Sequence, residues 1–185
     1  MATIPNDIQA SCQGSAASDA GAGPYETAIL VRRPPAPGTP GTAAARYPAP
    51  VIDPAAEQLT FRTLLHSQMA FAVEAGLFVI RGEDEWLSTW EGWRGSRQSA
   101  PAVDWAGELV VALALGSRPA SGYQVTIEQL AVRDRRLYVN AWEEENGGTG
   151  LDIITHPVHA VAVPRRDFAG EPHLVKRVTV WTDED

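Results

Sequence analysis

Residues 109–115 form an unbroken run of seven apolar side chains. The run is too short to cross a membrane as a helix, which takes about 20 apolar residues. Its leucines and valines, bounded by Glu108 and Gly116, are typical of a strand that is covered on both faces. Such a strand lies in the middle of a layered structure. The sequence therefore predicts a domain in which at least one sheet is packed on both sides.

Six further segments have the composition or the alternation of β-strands. They lie at residues 59–65, 76–81, 123–128, 137–142, 158–163 and 174–181. Short turns join most of them, which favours antiparallel pairing. We therefore predict a mainly β (β-rich α+β) fold, an antiparallel sandwich or half-barrel of about seven strands.

One short helix is predicted between the strand at 76–81 and the strand at 109–115. The evidence for this helix is three tryptophans at helical spacing, Trp86, Trp90 and Trp93. This spacing aligns the three indoles on one face, where we expect them to pack against a sheet. Acidic residues at 83–85 suit the first turn, and Gly92 and Gly95 are expected to end the helix.

Residues 1–56 differ in composition from the rest of the chain. They hold nine of the 14 prolines, five glycines and 14 alanines. Proline fixes φ and lacks an amide hydrogen, so it disfavours both helix and sheet. We predict that residues 1–56 form a disordered tether and that residues 57–185 form the β-rich domain. Within the tether, residues 27–31 have the composition to add one strand.

The single cysteine, Cys12, excludes an internal disulfide and a cysteine-based zinc site. Two small residues precede it, as at a bacterial lipoprotein cleavage site, and a tether-like segment follows. The residues ahead of it lack the basic and apolar regions of an export signal. We interpret Cys12 as a candidate lipidation site of a cell-envelope protein that begins upstream of Met1. The alternative is a free thiol in a cytoplasmic protein.

The formal net charge of -8 argues against nucleic acid as the main partner, because binding phosphates takes a basic surface. Contact with a membrane is expected only through a lipid anchor. The acidic run at 143–145 leads into a glycine-rich turn at 146–150, and we interpret it as the solvated end of a hairpin. A weak calcium site there is the alternative.

Few residues have the spacing that catalysis requires. His156 and His159 are three residues apart, so on a strand they point to opposite faces, and no third metal ligand has suitable spacing. Ser121 lacks the glycines of a nucleophile elbow, and residues 147–150 lack the lysine of a phosphate loop. We predict a protein that is not an enzyme and has no metal or cofactor. A metal-dependent hydrolase that uses the two histidines is an alternative.

The loop at 116–123 is the most specific local feature. Pro119 stiffens it, Gly122 permits a positive φ, and Tyr123 opens the next strand. We interpret it as a rigid turn that presents an arginine and a tyrosine to a partner. Its candidate partner-binding residues are Arg118, Pro119, Ser121, Gly122 and Tyr123. The alternative is a plain connection between strands, with the tyrosine in the core.

Two blocks of the chain resemble the C-terminal domain family of the protease complex subunit PrcB. Residues 104–105, 109–111 and 116–125 are similar to the family's Asp-Phe pair, apolar strand and Gly-x-Arg-Pro-Thr-Gly-Gly-Tyr turn. Residues 154–164 are similar to its Pro-Tyr-His stretch and last apolar strand. Ala120 and Ser121 stand where Thr and Gly are usual, and Val158 where Tyr is usual. The likeness spans about residues 76–164.

The resemblance implies a non-catalytic, often lipid-anchored envelope protein that associates with a protease and stabilises or modulates it. His156 and Pro157, in the second block, join the candidate partner-binding residues. The turn at 119–123 is also similar to the Pro-Thr-Thr-Gly-Tyr loop of chagasin-type cysteine protease inhibitors. A direct protease inhibitor is therefore the alternative, and the oligomeric state is left open.

Overall fold

The computed structural model describes residues 25–32, 55–71, 73–145 and 151–181 of the chain. These residues form a mainly β fold with two sheets, one α-helix and one short 3-10 helix, Arg97–Ser99. The α-helix, α1, is Glu83–Arg94. The strands are β1 Tyr25–Arg32, β2 Glu57–Leu59, β3 Arg62–Ser67, β4 Gly76–Ile80, β5 Glu108–Ala114, β6 Tyr123–Arg133, β7 Arg136–Glu145, β8 Val158–Pro164 and β9 His173–Trp181.

The two sheets pack face to face as a sandwich, as predicted. The first sheet has the strand order β1-β9-β7-β6-β2 and the second has the order β3-β8-β5-β4. Five of the seven strand pairings are antiparallel. The other two, β1 with β9 and β9 with β7, are parallel. The pairing of β9 with β7 is parallel because the chain crosses to the second sheet in β8 before it returns as β9.

Strand β5 is buried on both faces, as its unbroken apolar run predicts. Leu109, Val111 and Leu113 belong to the core between the two sheets. The alternate residues Val110, Ala112 and Ala114 belong to a second core, between the second sheet and α1. The second sheet is therefore the middle layer of three, and the helix covers its outer face.

Helix α1 confirms the prediction from the tryptophan spacing. All three indoles are at most 5% exposed, and they fill the core between helix and sheet. The Trp86 Nε1–H donates to the Pro101 carbonyl at 3.1 Å and the Trp90 Nε1–H to Ser99 Oγ at 3.1 Å. Gly95 ends the helix with a φ of 75°. Gly92 lies inside the helix, so the prediction that it helps to end it is wrong.

The single strand predicted over residues 59–65 is wrong, because the chain changes sheets within it. Strand β2 pairs with β6 in the first sheet, and β3 pairs with β8 in the second. Phe61 lies between them and packs against the core that the two sheets share. The alternation of apolar side chains continues through this corner, so the pattern alone does not reveal it.

Residues 27–31 lie in a strand, β1, which pairs with β9 along its whole length. One part of the segment predicted to be a tether is therefore a strand of the first sheet. Ala56, the last residue of that segment, is buried, so the domain begins slightly before residue 57. Residues 1–24 and 33–54, Cys12 included, lie outside the described residues, as does the glycine-rich turn at 146–150. Within the described part of the chain, no helix is long and apolar enough to cross a membrane.

The strand directions give the sandwich two distinct ends. At the hairpin end, Asp134 and Arg135 join β6 to β7 with φ values of 50° and 61°. The other end, here called the turn end, consists of residues 68–71, 116–122 and 151–157. Strand β5 ends there, β8 begins there, and the first and last residues of the β6–β7 pair, Tyr123 and Glu145, lie opposite each other.

Candidate functional site

The turn at 116–122 and the segment at 151–157, which carry the two resembling blocks, lie side by side. Arg118 and Thr155 exchange two backbone hydrogen bonds, of 2.8 and 2.9 Å. Farther along, the Ser121 N–H donates to the Leu151 carbonyl at 2.9 Å, and the Leu115 N–H donates to the Pro157 carbonyl at 3.0 Å. The two segments therefore form one continuous backbone surface at the turn end.

Residues 68–71 border the same segment on its other side. The His156 N–H donates to the Gln68 carbonyl at 2.9 Å, and the Ala70 N–H donates to the His156 carbonyl at 3.4 Å. Segment 151–157 is thus hydrogen-bonded on both sides. The bonds to residues 68–71 are both made by His156, and the segment belongs to neither sheet.

Five large apolar side chains are exposed at the turn end, and together they are called here the apolar patch. Their exposed fractions are 56% for Met69, 60% for Phe71, 69% for Leu151, 40% for Ile153 and 67% for Ile154. Outside β1 and the end of β9, whose side-chain burial is not described, these five are the exposed large hydrophobic side chains of the described residues. A cluster of this kind at one end of a domain is typical of a surface that another molecule covers.

Arg118, predicted to face a partner, points into the domain. Its backbone is in register with the buried Thr155, and its guanidinium lies against Glu143. Arg118 Nη2 and Nε donate to Glu143 Oε1 at 2.8 and 3.2 Å, and Nη1 donates to the Leu115 carbonyl at 2.8 Å. This arrangement gives Arg118 a positioning role in the turn. A direct contact of its guanidinium with a partner stays a prediction.

Glu143 is the anion of a buried cluster with two cations. It is 5% exposed, and Lys176 Nζ donates to its Oε2 at 2.6 Å. Burial alone would raise the pKa of the Glu143 carboxyl, but the hydrogen bonds from Lys176 and Arg118 outweigh it and hold the pKa below its ordinary value. The interpretation of the run 143–145 as a solvated hairpin end is therefore wrong for its first residue.

Tyr123 is half-buried and hydrogen-bonded within the domain. Its hydroxyl donates to Glu145 Oε1 at 2.6 Å, and its ring centroid lies 5.8 Å from Arg118 Cζ. The hydrogen bond to Glu145, together with burial, raises the pKa of the Tyr123 phenol. The main contact of Tyr123 is thus with β7, in which Glu145 is the last residue.

The other candidate residues of the site either shape or bind the backbone, or lie exposed to solvent. Gly122 has a φ of 110°, which confirms the predicted positive φ. Ser121 Oγ accepts from the Leu151 N–H at 2.7 Å. Pro119 is exposed, and Pro157 is buried where β8 begins. Of the sequence-predicted site residues, Pro119 is therefore the one whose side chain lies open beside the apolar patch.

The two histidines do not share a site. His156 lies in the turn-end segment, whereas His159 is 3% exposed between the sheets. His159 Nδ1 accepts from the Ile127 N–H at 2.8 Å, which leaves the proton on Nε2 for the hydrogen bond of 3.0 Å with Thr63 Oγ1. Burial, and secondarily the nearby His66, lowers the pKa of His159 to about 4. Both ring nitrogens of His159 are therefore occupied, and none is open to a metal.

No group of three or more His, Cys, Asp or Glu side chains within the described ranges is placed to hold a metal ion. An open cavity of about 450 Å³ lies on the outer face of β6 and β7. Its lining is polar apart from one indole and consists of His66, Gln124, Thr126, Glu128, Trp142 and Glu144. This cavity is distinct from the apolar patch, and sequence patterns did not indicate it because His66 reaches it from a different sheet.

Sequence reasoning also missed the five residues of the apolar patch. Leu151, Ile153 and Ile154 follow the glycine-rich turn as a short apolar cluster, and that cluster was the available signal. Met69 and Phe71 lie between two predicted strands without a recognisable pattern.

Comparison of the chain with protein-family models, with curated proteins and with solved structures finds no match. The resemblance to the PrcB family therefore depends on the two sequence blocks alone.

Proposed function

We propose that the protein is a non-catalytic interaction module and that the apolar patch is its contact surface. The observation that carries the proposal is that five exposed large hydrophobic side chains lie in the segments of the turn end, and that no others are exposed among the residues whose burial the structure describes, which leaves out β1 and the end of β9. Burying one side chain of this size contributes about 1.5–3 kcal/mol relative to leaving it in water. Covering several of them would give an association of useful strength.

The backbone under the patch supports the same proposal. Segment 151–157 is hydrogen-bonded at three residues to residues 115–121 and through His156 to residues 68–71, and the Arg118–Glu143 ion pair fixes the neighbouring turn from within. A surface that is already ordered loses little conformational entropy when a partner binds. In this scheme Arg118, Ser121, Gly122 and Tyr123 hold the surface in shape, and Pro119, His156 and the patch make the contacts.

The proposed partner is a protease of the cell envelope, which the protein would stabilise or modulate. The support for this partner class is the sequence resemblance, and part of each resembling block, residues 116–122 of one and 154–157 of the other, lies at the turn end. Attachment through Cys12 and an envelope location belong to the same proposal.

The test is a capture experiment with the full chain as immobilised bait. An envelope fraction of the source organism is passed over wild type, Ile154→Asp and Ala169→Asp, and the retained proteins are identified by mass spectrometry. Ile154 lies in the patch, whereas Ala169 is exposed at the hairpin end, where its N–H donates to the Arg135 carbonyl. We expect a protease that wild type and Ala169→Asp retain and Ile154→Asp loses.

Two outcomes would contradict parts of the proposal. Equal retention by all three baits would show that the patch is not the contact surface. A retained protein that depends on Ile154 but is not a protease would remove the partner class and leave the interaction module. Arg118 is unsuited to this test, because its replacement leaves Glu143 short of one of its two cations.

Direct inhibition of a cysteine protease is the second candidate. The turn at 119–123, which is similar to an inhibitor loop, is hydrogen-bonded to segment 151–157 at the exposed end of the domain. In this candidate the turn end would enter the active-site cleft of the protease. The measurement is the activity of a papain-like enzyme with the chain at high micromolar concentration, and full activity would discard this candidate.

A further inference from the structure

We propose that the partner segment which covers the apolar patch is a polypeptide stretch that combines apolar side chains with basic ones. The inference rests on the proposed function, and it specifies the chemistry of the partner. Its basis is the arrangement of charges around the patch.

The cations nearest the turn are directed inward. Arg118 and Lys176 both bind Glu143, at 2.8 and 2.6 Å, and their side chains are 24% and 23% exposed. A guanidinium and an ammonium held in this way neutralise the charge of an internal anion. They contribute little positive charge to the outer surface of the turn end.

The carboxylates around the patch are directed outward. Asp152 lies between two patch residues, is exposed and makes no ion pair with any described residue. Glu74, three residues after Phe71, is likewise exposed and without an ion pair in the described part of the chain. Glu145 accepts a hydrogen bond from Tyr123, which is neutral. Arg94, in the last turn of α1, is an exposed cation near this end.

Some carboxylates elsewhere in the domain have cations beside them, whereas others, such as the exposed Glu171, make no ion pair with a described residue. Glu108 is paired with Arg62, Glu91 with Arg97, and Asp167 with Arg135. At the patch, the unpaired Asp152 lies directly between two exposed apolar residues, Leu151 and Ile153, so a segment that covers these side chains meets its charge.

The net charge of the whole chain also favours a basic partner. The formal net charge is -8, and the sequence after Trp181 continues with Asp183, Glu184 and Asp185. A negative field attracts a basic partner and repels an acidic one, and complementary charges around an apolar contact select the partner and speed association. The same field disfavours an anionic lipid surface as the occupant of the patch.

The experiment selects peptides for binding to the immobilised full chain from a displayed library of random 12-residue sequences. Selected peptides are synthesised, and their affinities are measured for wild type, Ile154→Asp, Asp152→Lys and Glu171→Lys. Glu171 is the matched control, because it is exposed, has no ion pair with a described residue and precedes β9 at the hairpin end. Vesicles with anionic lipid serve as the competing surface.

We expect enriched peptides that carry both apolar and basic residues. Asp152→Lys should weaken their binding about tenfold, since it removes one attractive charge and adds a repulsive one, whereas Glu171→Lys should change it less than about twofold. Raising the salt from low to high concentration should weaken binding to wild type. Ile154→Asp should abolish it.

Each contrary result has a distinct meaning. Peptides that need Ile154 but ignore Asp152 and salt would overturn the basic partner and leave the proposed surface intact. Peptides that bind regardless of Ile154 would overturn the surface as well. Failure of the library to yield any peptide that depends on the patch, or sedimentation of the chain with anionic vesicles, would overturn the inference.

Discussion

At the scale of single residues, Glu143 has the largest structural consequence at the turn end. It is buried, and it neutralises Arg118 from the turn and Lys176 from β9. Removing its charge leaves two cations partly buried beside each other. We expect Glu143→Gln to lower the free energy of unfolding by about 3 kcal/mol.

The adjacent residue provides the control for this prediction. Glu144 has no ion pair with a described residue, so the same substitution there should change the free energy of unfolding by less than about 0.5 kcal/mol. The measurement is urea unfolding followed by circular dichroism. Equal effects at the two positions would show that the cluster does not stabilise the fold.

His159 makes the stability depend on pH. Its folded-state pKa of about 4 lies below the ordinary 6.5, so the unfolded chain takes up the proton first as the pH falls. The stabilisation is complete above pH 6.5 and is lost progressively toward pH 4. We expect the urea midpoint of wild type to fall between pH 7 and pH 5.

The matched variants for this prediction are His159→Gln and His156→Gln. His159→Gln removes the titrating ring from between the sheets, so its midpoint should vary less with pH over the same interval. His156→Gln should retain the wild-type dependence, because His156 lies outside that core. Glu143 does not interfere, since its pKa is below the ordinary 4.5 and its contribution is lost only at lower pH. A flat wild-type curve would contradict the assignment.

At the scale of elements, helix α1 has one glycine in its interior, Gly92, and one directly after its last residue, Gly95, and the two have opposite roles. A Cβ at Gly92 would meet no atom within 4 Å, and the position is in the helix interior. Gly92→Ala should therefore stabilise the fold by about 0.5–1 kcal/mol. At Gly95 φ is 75°, and a Cβ would lie 2.9 Å from Phe71 Cε2.

Gly95→Ala should therefore destabilise the fold by about 1–2 kcal/mol, since it forces an L side chain into the left-handed region and displaces a patch residue. Thermal unfolding of the two variants, alongside wild type, measures both signs in one experiment. Shifts of Tm in the same direction for both would show that the helix does not end as described.

Elements whose signal is local could be predicted from the sequence. The run of β5 and the tryptophan spacing of α1 each report a burial pattern that lies within a few residues. The change of sheet at Phe61 and the parallel direction of β9 depend on the path of the whole chain. No local pattern carries that information.

In the candidate site, too, some features could be predicted from the sequence and others could not. The positive φ of Gly122 follows from its place in the turn. The inward direction of Arg118 depends on its register with Thr155, and the burial of Glu143 depends on Arg118 and Lys176 arriving from other segments. The turn could therefore be located from sequence, whereas the side chains that it exposes could not.

At the scale of the whole molecule, the two cores lie on opposite faces of the same strands. Strand β5 contributes alternate residues to both, and so does β8, with Val161 and Val163 in one core and Val158 and Ala160 in the other. Loss of the helix layer would expose one face of strands that the sandwich needs. The domain should therefore unfold as a single cooperative unit.

The test of cooperativity compares two probes of urea unfolding. Tryptophan fluorescence reports mainly the helix layer, where Trp86, Trp90 and Trp93 are buried, and far-UV circular dichroism reports mainly the sheets. We expect coincident transitions with one midpoint. A fluorescence transition at lower urea would mean that α1 separates from the sandwich before the sheets unfold.

The parallel pairing of β1 with β9 determines how the domain would bear mechanical load. Strand β1 begins at Tyr25 beside Leu174, at the hairpin end, and runs toward the turn end in register with β9 over eight residues. If the turn end is held and the chain is pulled from upstream of Tyr25, the force acts along β1. The evenly spaced hydrogen bonds between β1 and β9 are then strained together in shear rather than broken one at a time.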